Sequence, residues 1–381
     1  MMIPDLPLHK PSIGPEEVAA VGIALRSGKL SGDGETGRRV ESELRRRFEC
    51  RHALLTTSCT HALELALMAL EVAPGDEVIC PSFTFVSCAN AIARQGARPV
   101  FCDIDDETLN VHPKEVAARI TPRTKAIMVV HYGGIACDMG RIRELGDAYG
   151  LAVIEDAAHA VGAKYRGRWL GTLGEAGCYS FHDTKNITCG EGGAFLTNDD
   201  HLARRAEIMR EKGTDRAAFM RGEVDKYTWR LVGSSYVLSE VCAAILEAQL
   251  AKLDAITERR RQLFAAYQAR LRPLAEEGLL RLPTVPPECE PNGHLFFVRL
   301  RSEEGRNRVI DGLRARGIGA AFHFVPLHSS PQGITLAAGA GVELPVTDRV
   351  SRTLVRLPIH AEMTDAQVDR VTDALRELVA A

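Results

Sequence analysis

Leu151-Ala152-Val153-Ile154-Glu155-Asp156-Ala157-Ala158-His159 is the stretch that decides the fold. Residues 151–155 read as a short apolar strand, and the run closes on two carboxylates. Before it, residues 139–149 read as a helix and residues 126–131 as another short strand. Working outward towards the N-terminus, strands at 53–57, 77–80 and 99–103 are separated by helices at 62–70 and 86–94. Pro74-Gly75-Asp76 marks a turn between two of them. Towards the C-terminus, residues 176–181 and 194–197 read as two strands close enough to pair. Buried strands alternating with helices predict an α/β domain around a mainly parallel sheet.

The pattern changes after about residue 238. Residues 238–271 read as one long helix. Four prolines between 283 and 291 then make an irregular connector. A smaller α+β unit is expected beyond it, with strands at 295–300 and 320–325 and helices at 306–316 and 365–378. The expected division is a large α/β domain over 1–248, with an N-terminal arm over 1–30, and a small C-terminal α+β domain over 249–381.

Composition limits the function classes. The 381 residues are 45% hydrophobic and 25% charged, which excludes a disordered tail, a collagen-like fibre and a small disulfide scaffold. Lys and Arg total 47 against 50 Asp and Glu, for a net charge of −3. No global basic excess points to nucleic acid. Apolar runs stay well under 18 residues, so no membrane span is expected. Met1-Met2-Ile3-Pro4-Asp5 has no basic region leading into an apolar one, so no signal peptide is expected. The 10 cysteines form no C-x-x-C pair, and H-E-x-x-H does not occur. Buried reduced thiols in a cytoplasmic protein, with no metal, are the expectation.

The chemistry concentrates at strand ends. Ser180-Phe181-His182-Asp183-Thr184-Lys185-Asn186-Ile187-Thr188-Cys189-Gly190-Glu191-Gly192-Gly193 lies between two strands. A lysine there, partly desolvated so that it can lose its proton, suits a Schiff base. The glycines after it allow close backbone approach to a flat ligand. The bland alternative is a solvated loop lysine before a glycine turn. Asp156 is placed to pair with a pyridinium nitrogen, or to cap a following helix. His159 is placed near a ring oxygen of the same ligand. Thr56-Thr57-Ser58-Cys59-Thr60-His61 precedes an Ala/Leu-rich helix. Its free N–H groups and hydroxyls suit a phosphate, or simply an N-cap. It is not a Walker loop. Phe85, in Pro81-Ser82-Phe83-Thr84-Phe85-Val86-Ser87, can stack on a heterocycle or fill a core. A phosphate site, a ring-nitrogen carboxylate, a stacking aromatic and a Schiff-base lysine together are what pyridoxal phosphate requires.

On these segments the chain resembles the fold-type I aminotransferases that act on nucleotide-linked keto sugars, over essentially its whole length. Within them it most resembles the dTDP-4-amino-4,6-dideoxygalactose transaminase branch. Residues 27–34, 221–230, 233–236 and 322–328 carry that closer likeness. The resemblance implies the pyridoxal-phosphate-dependent transferase fold and pyridoxal 5'-phosphate as cofactor. It implies Lys185 as the Schiff-base lysine and Asp156 as the partner of the ring nitrogen. It implies Phe85 as the stacking ring, and Cys59, Thr60 and Ser180 as phosphate contacts. His159 stands where many relatives have Gln, and Ser235 where many have an Asn that reaches the neighbouring subunit's phosphate. L-glutamate as donor, a nucleotide-sugar acceptor and a homodimer with shared active sites are implied in the same way. Arg210, Lys212, Arg216, Arg221, Lys226 and Arg230 form a basic-rich run. Lys226 and Tyr227 are singled out from that region for the substrate, with His323 and His328 from the small domain. A sugar dehydratase of similar build has His in place of the lysine, and Lys185 argues against it. The sequence also admits a non-catalytic homologue, or an aminotransferase acting on a cyclitol, an aminohydroxybenzoate or a different keto sugar.

Overall fold

The computed structural model describes residues 4–336 and 342–380. Two helices, α1 (Pro15–Ser27) and α2 (Glu35–Phe48), come first. The alternation then runs β1 (His52–Thr56), α3 (Cys59–Ala69), β2 (Glu77–Pro81), α4 (Ser87–Arg94), β3 (Arg98–Cys102), α5 (Pro113–Ala117), β4 (Thr124–Val130), α6 (Met139–Tyr149) and β5 (Ala152–Asp156). Short strands β6 (Lys164–Tyr165) and β7 (Arg168–Trp169) precede β8 (Ala176–Ser180) and β9 (Gly193–Thr197). Helices α7 (Asp200–Arg210), α8 (Arg216–Met220) and α9 (Glu240–Glu276) follow. The remainder is β10 (Cys289–Glu290), β11 (Phe296–Arg299), α10 (Glu303–Ala315), α11 (Pro331–Leu336), α12 (Pro345–Thr353), β12 (Leu354–Leu357) and α13 (Asp365–Ala380).

The main sheet has seven strands in the order β1-β9-β8-β5-β4-β2-β3. All run parallel except β9, which pairs antiparallel with both β1 and β8. This is the mixed, mainly parallel α/β sheet that the alternation predicts. Successive side chains on a strand face opposite ways. Ile127 and Val129 therefore join one core cluster with α2, α6 and α9, while Ala126, Met128 and Val130 join another with α3, α4 and α7. Helices cover both faces, and the ends of β1, β2, β4, β5 and β8 open along one edge.

A third cluster gathers the end of α9, β11, α10, β12 and α13. Leu6 belongs to it. The Leu6 N–H donates to Gly317 O at 3.1 Å, and Gly319 N–H donates to Leu6 O at 2.8 Å. Of the arm expected over 1–30, the described residues thus contribute a strand-like contact to the C-terminal cluster and a helix, α1, packed along α9. Glu17 of α1 is buried there and meets Lys252 Nζ at 2.6 Å and Gln249 Nε2 at 2.8 Å.

Two expectations are corrected. No strand forms over 320–325. Only Ala321 bridges Arg356, and Phe324 takes a φ of +23°, outside the extended region. The partner of β11 is instead β12, which Arg356 hides by interrupting its apolar run. The long helix continues past residue 271 to Glu276, because Pro273 falls so near its end that few backbone bonds are lost.

Candidate active site

The sheet topology carries the predicted residues to one edge. Thr57 to Thr60 follow β1, Ser82 to Phe85 follow β2, Tyr132 follows β4, Asp156 ends β5, and Ser180 ends β8 ahead of Lys185. Ligands of open α/β sheets bind at such carboxyl ends.

Neighbours on β5 divide the two carboxylates. Glu155 is fully buried and accepts N–H bonds from Gly171, Leu173 and Gly174 at 2.6–2.8 Å, besides meeting His131 Nε2 at 2.8 Å. Burial pushes its carboxyl up, and these partners outweigh that and hold it below the usual range. It is a structural anchor. Asp156 turns the other way. Its Oδ1 accepts from Ala158 N–H at 3.0 Å, and its Oδ2 accepts from the Cys88 thiol at 3.1 Å. Cys59 Sγ lies 3.9 Å from Oδ1. No helix follows β5, so Asp156 is not a helix cap. A carboxylate has about four acceptor positions, which leaves room for one more N–H donor.

Lys185 reaches the same place. Cys59 and Asp156 both act on its charge and favour the ammonium, but burial outweighs them and moves its pKa down, with Arg356 adding to the fall. An amine biased towards the neutral form is what a Schiff-base nucleophile needs. Asn186 beside it is locked. Its Nδ2 donates to Asn292 O at 3.1 Å, and its Oδ1 meets His294 Nδ1 at 2.9 Å. Asn292 Nδ2 in turn donates to the carbonyls of His159 and Val161 at 2.9 and 2.8 Å. Gly134, at φ +80°, passes so close that a Cβ there would meet Asn292 Oδ1 at 2.0 Å.

His159 stacks on His294 with ring centres 4.4 Å apart, and its Nδ1 accepts from Gly133 N–H at 3.3 Å. His323 Nδ1 pairs with the Tyr132 hydroxyl at 2.7 Å. Burial, then the nearby cations, pushes His159, His294 and His323 well below the usual imidazole range. Arg260 of α9 supports this layer by donating to the carbonyls of Gly293 and His294 at 3.1 and 2.7 Å.

At the start of α3, Ser58 Oγ accepts from His61 N–H at 3.1 Å, so its hydroxyl caps the helix. The N–H groups of Cys59 and Thr60 have no intrahelical acceptor, which leaves an anion site. Thr60 Oγ1 lies 2.7 Å from Ser87 Oγ. Ser180 is buried with its Oγ near His182 N. Phe85 is 60% exposed, an aromatic with no core to fill. A neutral-leaning lysine, a carboxylate with a vacant acceptor position, an exposed ring and free N–H groups match the carbonyl, ring nitrogen, ring face and phosphate of pyridoxal phosphate. Among the glycines after Lys185, Gly193 serves an approach within the chain: a Cβ there would lie 2.5 Å from Cys59 N, so this glycine lets β9 approach the turn before α3.

The substrate-side residues scatter. His328 is not brought to this cluster. It is buried, its Nδ1 meets Ser82 Oγ at 2.7 Å, its N–H donates to the same Oγ at 3.0 Å, and Nε2 is 3.6 Å from Asp348. A side chain so occupied ties the 322–328 loop to the end of β2. Lys226, Tyr227 and Ser235 are exposed, on the segment after α8. Ser235 stands next to Tyr236, whose carbonyl accepts from Thr57 N–H at 2.9 Å. Of the basic run, Arg210, Lys212, Arg216, Arg221 and Arg230 are all paired with acids, and Lys226 has no acid partner among the described residues. Tyr132, Asn186, Asn292, His294 and Arg356 were not read from the sequence. The Asn292-Gly293-His294 run after the prolines was the one local signal for two of them.

Residues 11–376 match the profile of the DegT/DnrJ/EryC1/StrS aminotransferase family. The chain belongs to this family. It is similar to S. venezuelae DesV, solved in complex with a ketimine intermediate, at 36% identity over 99% of both chains, TM-score 0.89. The aminotransferase TlmJ from Streptoalloteichus hindustanus is 33% identical over 98% of this chain and 99% of its own, TM-score 0.90. 3-Amino-5-hydroxybenzoic acid synthase is 30% identical over the whole of both chains, TM-score 0.88. The protein is therefore a pyridoxal-phosphate-dependent aminotransferase of a sugar-modifying family.

Proposed function

We propose that the enzyme aminates a nucleotide-linked 4-keto-6-deoxy sugar, converting dTDP-4-keto-6-deoxyglucose to dTDP-4-amino-4,6-dideoxygalactose with L-glutamate as donor. The observation that carries the chemistry is the meeting of Lys185, Asp156, Phe85 and the α3 N-terminus at one sheet edge. The sugar rests on the likeness at 27–34, 221–230, 233–236 and 322–328. The aminotransferase TlmJ, 33% identical to this chain, and DesV, 36% identical and solved with a ketimine intermediate, support the transamination, and the sugar itself rests on those four segments.

Bound pyridoxal phosphate supplies the electron sink for charge that develops beside the transferred amine. Lys185 would hold the cofactor through Nζ, and its neutral amine would take and return the proton at the donor's alpha carbon. Asp156 would keep a proton on the ring nitrogen, braced by the Cys88 thiol and Ala158 N–H. Cys59, Thr60 and Ser180 would hold the phosphate, Phe85 would cover one ring face, and His159 would border the ring oxygen. With L-glutamate as donor the co-product would be 2-oxoglutarate, and the same residues would serve the keto sugar in the second half of the exchange. His323 faces the acceptor. Lys226, Tyr227 and Ser235 serve a site shared across a homodimer, which accounts for their exposure. His328 acts through the loop it anchors. We place this activity in the cytoplasm, on a large domain ending near residue 248 and a small one beyond it.

The test offers the holoenzyme glutamate and dTDP-4-keto-6-deoxyglucose and identifies the product by mass and NMR. A 4-amino-4,6-dideoxygalactose product is expected, and Lys185→Ala should reduce turnover by several orders of magnitude. Amination with the opposite configuration would move the enzyme to another branch. Normal turnover in Lys185→Ala would sink the mechanism.

A further inference from the structure

The two carboxylates that end β5 are held by different kinds of donor. Glu155 accepts three backbone N–H bonds and meets His131. Asp156 accepts one backbone N–H, from Ala158, and two thiols are its other polar neighbours among the described residues. The Cys88 thiol donates to Oδ2 at 3.1 Å, and Cys59 Sγ lies 3.9 Å from Oδ1. The hydroxyls beside these cysteines are turned elsewhere. Thr60 follows Cys59, Ser87 precedes Cys88, and those two hydroxyls meet each other at 2.7 Å. Cys88 is fully buried in the first turn of α4, three residues after Phe85. One turn of chain therefore carries Phe85, joins the α3 N-terminus through Ser87 and touches Asp156 through Cys88.

Burial, and after it the charge of Asp156, pushes the Cys88 thiol well up, so its proton stays on sulfur and the thiol is the donor. The buried Thr84 hydroxyl lies 3.5 Å from the same sulfur and backs it from the end of β2. A thiol is a weak donor beside an N–H, an O–H or a guanidinium. Each strong donor to a carboxylate draws on its charge and competes with any further partner. A weak donor fixes the direction of the oxygen and leaves most of that charge in place. A carboxylate that must keep a proton on a ring nitrogen needs the charge that remains, because that bond is charge-assisted.

We propose that Cys88 is a positioning residue for the cofactor's ring nitrogen: its thiol aims the Asp156 carboxylate and leaves the charge of that carboxylate to the ring. The inference rests on pyridoxal phosphate as cofactor and on Asp156 as its ring-nitrogen partner, not on which sugar is aminated. A serine at this position is nearly the same size and a stronger donor, so it keeps the aim and draws off the charge. An alanine gives up the aim.

The experiment titrates the cofactor absorbance of substrate-free holoenzyme against pH, in the parent, Cys88→Ser and Cys88→Ala. A ring nitrogen that keeps its proton less firmly withdraws less charge from the Schiff base of Lys185, so the midpoint moves to higher pH. Cys88→Ser should raise the midpoint by roughly half a unit, the worth of one modest hydrogen bond, with pyridoxal phosphate bound as tightly as in the parent. Cys88→Ala should raise it too, and should weaken pyridoxal phosphate binding roughly two- to ten-fold. With L-glutamate, the limiting rate of the donor half-reaction should fall in both variants, and the half-saturating glutamate should change much less. A thiol that only fills space would shift the melting temperature and leave the titration alone. Parent-like midpoints in both variants would therefore overturn the proposal, as would a rate loss in Cys88→Ser with an unmoved midpoint. If Cys88→Ala does not fold, Cys88→Ser decides the question. Asp156→Asn separates this proposal from the reading beneath it. That variant should raise the midpoint further than either cysteine variant, and a parent-like midpoint there would overturn the role of Asp156 itself.

Discussion

At the residue scale the site is a place where charge is kept down. Lys185 and the imidazoles of His159, His294 and His323 are all displaced towards their neutral forms by burial, with Lys185, Arg356 and Arg260 adding to the effect on the rings. Unfolded, the three rings would titrate near 6.5. The folded chain then binds fewer protons than the unfolded one below that pH. Stability contributed by neutral rings is therefore present above about 6.5 and is lost as the pH falls through it. The melting temperature of the apo-protein should drop between pH 7.5 and 5.5, and His294→Asn should flatten that slope. An unaltered slope in the variant would mean that the rings are not the titrating groups. Asp156 was legible because it closes a short apolar strand, and Lys185 because it follows one in a segment with its own hydroxyls and glycines. The supports were not. Asn292 holds the carbonyl of His159 from 133 positions along the chain, and no local pattern announces such a contact. His328 misled for a related reason, since only the fold reveals Ser82 beside it.

At the element scale the parallel strands were the most legible part. Each is a five- to seven-residue run, the first four set between helices, and both faces of the sheet are covered, so most positions are apolar. The small sheet was harder to read. β12 is four residues long with a charged residue inside, and the run expected as a strand over 320–325 is turned aside at Phe324. The turn between β1 and α3 depends on a different element, β9, whose Gly193 passes directly over Cys59. Gly193→Ala has backbone to displace on the far side, and should cost about 1–3 kcal/mol of stability. It should also weaken cofactor binding, because the displaced N–H groups are those at the start of α3. Thermal melts with and without pyridoxal phosphate separate the two effects. A variant with the parent's cofactor affinity would show that the turn does not depend on this approach.

At the scale of the whole molecule, part of the exposed apolar surface gathers in one segment. Phe219, Met220, Tyr227, Trp229 and Val232 are exposed within one short segment, and Trp229 is 74% exposed. Such a patch suits burial against a second copy. Sedimentation should give a mass near twice the 41.6 kDa of one chain, and Trp229→Asp should shift the equilibrium towards monomer and lower turnover with it. A monomer at working concentration with full activity would sink the shared-site reading. The three largest core clusters also differ in how they draw on the chain. Those on the main sheet are filled by residues from Val40 to Leu344, whereas the third takes Leu6 together with residues as late as Leu375. A ribosome releases the chain in order, and early segments can fold while later ones are still unmade. Leu6 emerges long before the backbone of Gly317 and Gly319 that receives it. During synthesis this segment must wait, apolar and unpaired, for one made much later.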